Sequence, residues 1–292
     1  MKKRIIALIL SISIILCLCG CKKESGTSST NKPVISFQRN DSTFSIQFID
    51  VGQGDSALVE CDGHYMLIDG GDKAAGDKVY SVLKEQGIRK LDILVASHLH
   101  SDHIGGLIKA LTYASDIGLT ISNSTYYDSD VFRDFEHELC INGSKIEVPA
   151  SGEKYKLGSA TVEVIDSGNK EENDSLVLLL TYKKTTFLFT GDMEQKQESI
   201  ICDQYGDDAW DVSVIKVAHH GSNTSTSIRF LRMIMPKYAV ISVGEKNNFG
   251  QPSIETIDRL EQADVQKIYR TDYDGDIIVK SNGKEISIES SK

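Results

Sequence analysis

Three imidazoles and a carboxylate fall within six residues, His98-Leu99-His100-Ser101-Asp102-His103, directly after the apolar run Leu91 to Ala96. Neutral imidazole and carboxylate are the donors that suit zinc and its first-row neighbours. A chain that keeps them together needs a strand to deliver them to a rigid edge. The spacing lets His98 and His100 reach one metal ion, while Asp102 and His103, further along, reach a second. With only 7 His in 292 residues, a chance match is rare, on the order of one in ten thousand. The pattern reads as a metal site, and a two-metal one.

The first residues stand apart from the fold. Lys2, Lys3 and Arg4 form a basic start, Ile5 to Leu18 is apolar, and the run closes in Leu18-Cys19-Gly20-Cys21. This is the pattern of a secretory signal peptide, too short for a comfortable membrane span. Its ending is similar to a bacterial lipobox, with Cys21 the residue to be lipidated and Cys19 a mild departure from the usual small or aliphatic residue. The expected division is therefore a signal peptide over 1–21, a flexible tether over 22–40 and one large domain over 41–292. The tether is rich in Ser, Thr, Gly and charge and cannot bury enough apolar surface to order itself. The folded part is expected outside the cytoplasmic membrane, held to its face by lipid.

Without Lys2, Lys3 and Arg4 the basic count falls from 32 to 29 against 42 acidic residues, a net charge near −13 with His neutral. That balance excludes a general basic footprint for nucleic acid. Lys183, Lys184, Arg229, Arg232 and Lys246 are the candidates for a local cationic patch, set against plain solvated surface charge. Outside the export segment only Cys61, Cys140 and Cys202 remain, too few for a disulfide framework and expected as small buried residues.

Alternating and apolar runs place strands at Phe44–Ile49, Ala57–Glu60 and Tyr65–Ile68, with a hairpin turn over Cys61 to His64. A helix follows, with Asp77 as its cap, then the strand before the histidines and a short helix from Ile104 to Leu111. Ser122 to Gly143 sets four aromatics among acidic residues and is read either as a lid or as an ordinary insertion. Strands and helices then alternate to the end, closing on three strands. Two strand-rich halves, each ending in helices, predict a two-sheet sandwich with helices on both outer faces, an α/β fold.

Three further motifs sit where a strand meets a loop. Asp192 in Thr190-Gly191-Asp192 is placed to bridge two metals; His219 and His220 in Ala218-His219-His220-Gly221-Ser222 offer the missing imidazole; Asp69 in Ile68-Asp69-Gly70-Gly71 is placed to orient a ligand from behind. Each is weak alone, and their order together makes them strong.

With these residues the chain resembles metallo-β-lactamase-fold hydrolases, and more narrowly the extracellular hydrolase domain of the ComEC group of bacterial competence channels. The narrower likeness rests on Phe48-Ile-Asp-Val-Gly-Gln-Gly-Asp55, Leu67-Ile-Asp-Gly-Gly71, the HLHSDHIGG run, Asn173-Asp-Ser-Leu-Val177, Phe187-Leu-Phe-Thr-Gly-Asp192, Val217-Ala-His-His-Gly-Ser222 and Tyr269-Arg-Thr-Asp272. It implies an αββα four-layer sandwich with the site at one edge. It also implies His98 and His100 on the first metal, Asp102, His103 and His220 on the second, and Asp192 between them. His219 would meet the substrate phosphate or donate a proton, and Asp55, Asp69, Asn173 and Gln251 would support ligands or substrate. Asn173 stands in the region where many lactamase-fold enzymes carry another histidine, which leaves the first metal fewer protein ligands. Gln251 stands where the ComEC group usually has the His of Gly-His-Pro, and an amide is no proton acid near neutral pH.

The expected activity is a phosphodiesterase or nuclease, with two divalent metals, zinc or manganese, activating a water. Phosphodiesters come first as substrate, extracellular DNA among them, and no protein partner is predictable. The alternatives are a hydrolase of a carboxylic ester, lactone or β-lactam, and a catalytically weak lipoprotein that binds metal and ligand.

Overall fold

The computed structural model describes residues 44–168, 174–206 and 210–292. The signal segment, Cys21 and the tether expected over 22–40 lie outside them. The first half of the chain forms β1 (Phe44–Phe48), β2 (Ala57–Cys61), β3 (His64–Ile68), α1 (Gly76–Glu85), β4 (Lys90–Ala96), α2 (Ser101–Ala110), β5 (Asp116–Ser122), α3 (Asp130–Ile141) and β6 (Ile146–Glu147). Next come β7 (Lys154–Leu157), β8 (Ala160–Asp166), β9 (Val177–Tyr182), β10 (Thr185–Phe189), α4 (Gln195–Tyr205), β11 (Val214–Lys216), α5 (Ile228–Ile234), β12 (Tyr238–Ile241), α6 (Ile254–Gln262) and β13 (Lys267–Arg270). The chain closes with a helical turn, α7 (Thr271–Asp274), and the hairpin β14 (Ile277–Ser281) and β15 (Ile286–Ser290).

Two sheets result, ordered β15-β14-β1-β2-β3-β4-β5-β6 and β13-β12-β11-β10-β9-β8-β7. Their inner faces interlock through every second residue of the strands. In β1, Phe44, Ile46 and Phe48 point inward. The Phe44 ring stacks on Tyr182 and Phe187 of the opposite sheet, each at 4.8 Å between centroids. Strand β4 feeds two cores at once, with Ile93 and Val95 between the sheets and Leu91, Leu94 and Ala96 against the helices outside. A strand buried on both faces carries an unbroken apolar run, as Leu91 to Ala96 nearly does. Helices α1, α2 and α3 cover the first sheet and α4, α5 and α6 the second, which completes the αββα layering. Among the described residues no helix is long and apolar enough to cross a membrane.

Three expectations need correction. Asp77 does not cap α1; Asp72 caps a short 3-10 turn ahead of it by accepting the amides of Ala74 and Ala75, and Asp77 lies in the helix's first turn. The segment from Ser122 to Gly143 is no lid as a whole, because α3 buries Phe132, Phe135 and Leu139 in the outer core beside α2. Cys140 is exposed, while Cys61 and Cys202 are buried, and all three are free thiols.

The topology also places the site. Strands β3, β4 and β5 run parallel, as do β10, β11, β12 and β13. In open α/β sheets ligands gather beyond the carboxyl ends of parallel strands. Asp69 follows β3, His98 follows β4, Asp192 follows β10, and His219 and His220 follow β11.

Candidate metal centre

The carboxyl ends of these strands bring the predicted side chains together from both sheets. Ligand atoms of Asp102, His103, Asp192 and His220 all lie within 4.8 Å of one another. Asp192 is the hub: its carboxylate lies 3.3 Å from His103 Nε2, 3.6 Å from His220 Nε2, 3.8 Å from His219 Nε2 and 3.9 Å from His98 Nε2. Asp102 joins from the first turn of α2, 3.4 Å from His220 Nε2 and 4.0 Å from His103 Nε2. His100 sets its ring 4.5 Å from that of His98 and 5.2 Å from Tyr127.

Each buried ring is held by its far nitrogen. His103 Nδ1 lies 2.9 Å from Asp69 Oδ2, and Asp69 is itself fixed by the amide and hydroxyl of Ser97 at 2.7 Å each. His220 Nδ1 lies 3.0 Å from the Ser242 carbonyl oxygen and 3.2 Å from Asp55 Oδ1. His98 Nδ1 sits 3.2 Å from Ser97 Oγ and 3.3 Å from Ser175 Oγ, and that second hydroxyl accepts the Asp192 amide at 2.9 Å. Anchoring one ring nitrogen in this way orients the ring and directs the other nitrogen toward the centre.

The residues fit a metal. The Nε2 atoms of His98, His103 and His220 and Asp192 Oδ1 are buried and have no hydrogen-bond partner among the described residues. Buried polar atoms normally find partners, so a cluster facing one point needs an explanation such as an ion. Without metal the charges pair among themselves. Burial alone would lower His220, but the carboxylates of Asp192, Asp102 and Asp55 around it push it up to about 10. His103 also rises well above the usual imidazole range, against burial, because Asp192 and Asp69 face it. His98 falls well below that range through burial and the charge on His103. Asp192, despite burial, is held well below the usual carboxylate range by His103 and His220.

The turn that carries the last histidine is strained. His219 (φ 50, ψ 46) and His220 (φ 53, ψ 23) are both left-handed, and Gly221 follows at φ 83. Left-handed backbone costs a residue with a Cβ about 1–2 kcal/mol. Glycine is required at 221 on a second count, since a Cβ there would lie 2.6 Å from Pro252 Cβ.

The remaining predicted residues fall as follows. His219 is partly exposed beside Asp192, with Nδ1 3.6 Å from Glu194 Oε1. Asp55 lies behind His220, where Lys216 Nζ pairs with its Oδ2 at 2.8 Å. Burial pushes Asp55 up, yet Lys216 and His220 hold it below the usual carboxylate range. Gln251 lies at the rim with both ends of its amide engaged, to Gln53 and to the His219 carbonyl. Asn173 and Cys21 lie outside the described residues. Of the proposed cationic patch, Arg229 is taken up by Asp203 at 2.6 Å and Lys183 lies over the Tyr182 ring.

Lys216 was missed by the sequence reading. It is 3% exposed and donates to the Val217 carbonyl at 2.8 Å besides its pair with Asp55. A charged residue within the apolar run Val212 to Ala218 was the available signal. The serines at 97, 175 and 242 were missed as well, and no spacing rule marks them.

A family model described as the metallo-beta-lactamase superfamily matches residues 49–123. The competence protein ComA of Neisseria gonorrhoeae is 32% identical over 227 residues, covering 77% of this chain and 30% of that protein. ComE operon protein 3 of Bacillus subtilis is 29% identical over 258 residues, covering 80% of this chain and 32% of that protein. The chain thus spans about a third of the length of these curated relatives. Among solved structures, the metallo-beta-lactamase fold protein YhfI from Bacillus subtilis superposes with a TM-score of 0.51 at 11% identity, covering 77% of this chain and 96% of that one. At that identity the likeness is one of fold alone.

Proposed function

This chain carries a metallo-beta-lactamase domain related to competence proteins, and from that premise we propose that it is a metal-dependent phosphodiesterase. The observation that carries the reading is the convergence of buried imidazole Nε2 atoms from both sheets on the Asp192 carboxylate. His98 and His100 would hold one divalent metal, Asp102, His103 and His220 the other, with Asp192 shared. Zinc or manganese suits this mixture of imidazole and carboxylate. When bound, the pair supplies Lewis-acid polarisation of a phosphoryl oxygen and water activation near neutral pH.

The chain's own residues divide the remaining work. Asp69, Asp55 and Ser242 hold His103 and His220 with one nitrogen free for coordination. His219, beside Asp192 and in part open to solvent, is placed to contact a phosphate oxygen or give a proton to the leaving group. Phosphodiesters, extracellular DNA among them, are the proposed substrates, and the competence relatives support that choice. Lipid attachment at Cys21 and a site on the outer face of the membrane belong to the same proposal and rest on the export pattern of the sequence.

The test is hydrolysis of a chromogenic phosphodiester and of labelled single-stranded DNA by the purified protein, reloaded with zinc or manganese. Chelator should abolish cleavage, and Asp192→Ala should lower turnover by at least about a hundred-fold. Two bound metals per chain without cleavage of either substrate would rule this activity out and point to carboxylic esters or lactams.

A further inference from the structure

Gln251 lies at the rim of the site, and its amide is the middle of a directional chain. Gln53 Oε1 accepts the Gly244 amide at 3.1 Å, which fixes which end of the Gln53 amide is nitrogen. Gln53 Nε2 therefore donates to Gln251 Oε1 at 2.8 Å, and Gln251 Nε2 donates to the His219 carbonyl oxygen at 3.1 Å. Three loops are joined by this relay: the one after β1, the one after β12 and the left-handed turn after β11. The loop after β12 is itself braced, because Asn247 donates to the carbonyls of Gly244 and Gln251 at 2.9 and 2.6 Å and accepts the Gln251 amide at 3.1 Å.

The carbonyl at the end of the relay belongs to the first of three consecutive left-handed residues. Such a turn persists only where its surroundings over-determine it. His219 is held at its amide by the Gly191 carbonyl at 3.0 Å, and its carbonyl also accepts the Ser222 amide at 2.8 Å. The Ser253 amide reaches the Gly221 carbonyl at 2.9 Å. Gln251 supplies the side-chain hydrogen bond to this carbonyl, and it comes from the same loop that sets Pro252 against Gly221.

We propose that Gln251, oriented by Gln53, is a positioning residue that locks the His219–His220 turn so that His220 Nε2 faces Asp192. The requirement is one acceptor toward Gln53 and one donor toward His219. An imidazole meets it with its two ring nitrogens, whereas a carboxylate has no donor and would set charge against the carbonyl. The inference rests on the proposed metal centre only in taking His220 as a ligand.

The experiment compares wild type, Q251A, Q251E, Q251H and Q53A by zinc competition titration and by hydrogen exchange of the Ser222 amide in the metal-free protein. Q251A and Q251E should weaken the second zinc by about ten-fold or more and leave the first unchanged, the usual scale for groups that support a ligand. Both should also speed Ser222 exchange, Q251H should restore both readouts, and Q53A combined with Q251A should lose no more than Q251A alone. If Q251A does not fold, the contrast between Q251H and Q251E carries the same test. Unchanged zinc affinity and exchange in Q251A, with only KM for a phosphodiester raised, would overturn the proposal and make Gln251 a substrate contact. If wild type binds fewer than two zinc ions, the two-metal reading fails, while Ser222 exchange still decides whether Gln251 holds the turn.

Discussion

His220 shows how the site trades protons for metal. Its folded value of about 10 lies above the ordinary value near 6.5 expected when the chain unfolds. The pairing with Asp192, Asp102 and Asp55 therefore contributes fully to stability below about pH 6.5 and fades as the pH climbs through about 10. The metal-free protein should lose urea resistance between those values, and His220→Asn should flatten that slope. Metal can enter only as the proton leaves, so calorimetry in buffers of different ionisation enthalpy should register proton release on zinc binding near neutral pH. Zinc binding without proton release would contradict the charged state assigned to His220. The convergence of the histidines and Asp192 was legible in the sequence because a metal site draws on those residue types, placed after strands. Lys216 was not legible as a partner of Asp55, since the pair forms between loops and strands of different sheets and neither residue is near the other in sequence. Gln251 was read as a residue supporting ligands or substrate, but its contacts to Gln53 and His219 come from loop packing that no spacing reveals.

At the scale of elements, α2 is the piece that sets Asp102 and His103 against the other candidate ligands. Its first turn carries Asp102 and His103, and its glycines let it lie directly on the loop after β3. A Cβ on Gly106 would be driven into the Gly70 carbonyl oxygen, in the loop that follows Asp69. Gly106→Ala should therefore push helix and loop apart, with an overpacking cost of about 1–3 kcal/mol. Urea denaturation should show that loss, together with weaker zinc binding, because the Asp69–His103 contact spans the same seam. A stable G106A variant with wild-type zinc affinity would show that the seam can yield without cost to the ligands. Strands such as β4 were readable from apolar runs, but the role of α3 was not. Its Phe132, Phe135 and Leu139 sit among acidic residues, and amphipathic spacing alone does not distinguish an outer layer from a lid.

At the scale of the molecule, the candidate ligands divide between the sheets: His98, His100, Asp102 and His103 follow β4, while Asp192 and His220 follow β10 and β11. Bound metal would tie the two layers together at one edge, and anything that binds only the folded state stabilises it by mass action. Free zinc at a hundred times its dissociation constant adds about 2.7 kcal/mol, which for a domain of this size raises Tm by about 5–10 °C. Chelator should remove that increment in the wild type, and Asp192→Ala should show none of it. A Tm indifferent to zinc would mean that the convergent imidazoles do not hold it in the folded protein.

Strand β1, the first described element, lies between β2 and β14, with Ser45 opposite Lys280. The edge of β1 that faces away from β2 is therefore covered by a strand from the far end of the described residues. β2, β3, β4 and β5 pair in sequence order, whereas the other side of β1 is paired by Ile277 to Ser281. Without β14, β1 would present an open strand with one apolar face, the kind of edge to which other chains add. β14 thus acts as a cover for the first sheet, and its loss would turn an internal strand into an edge.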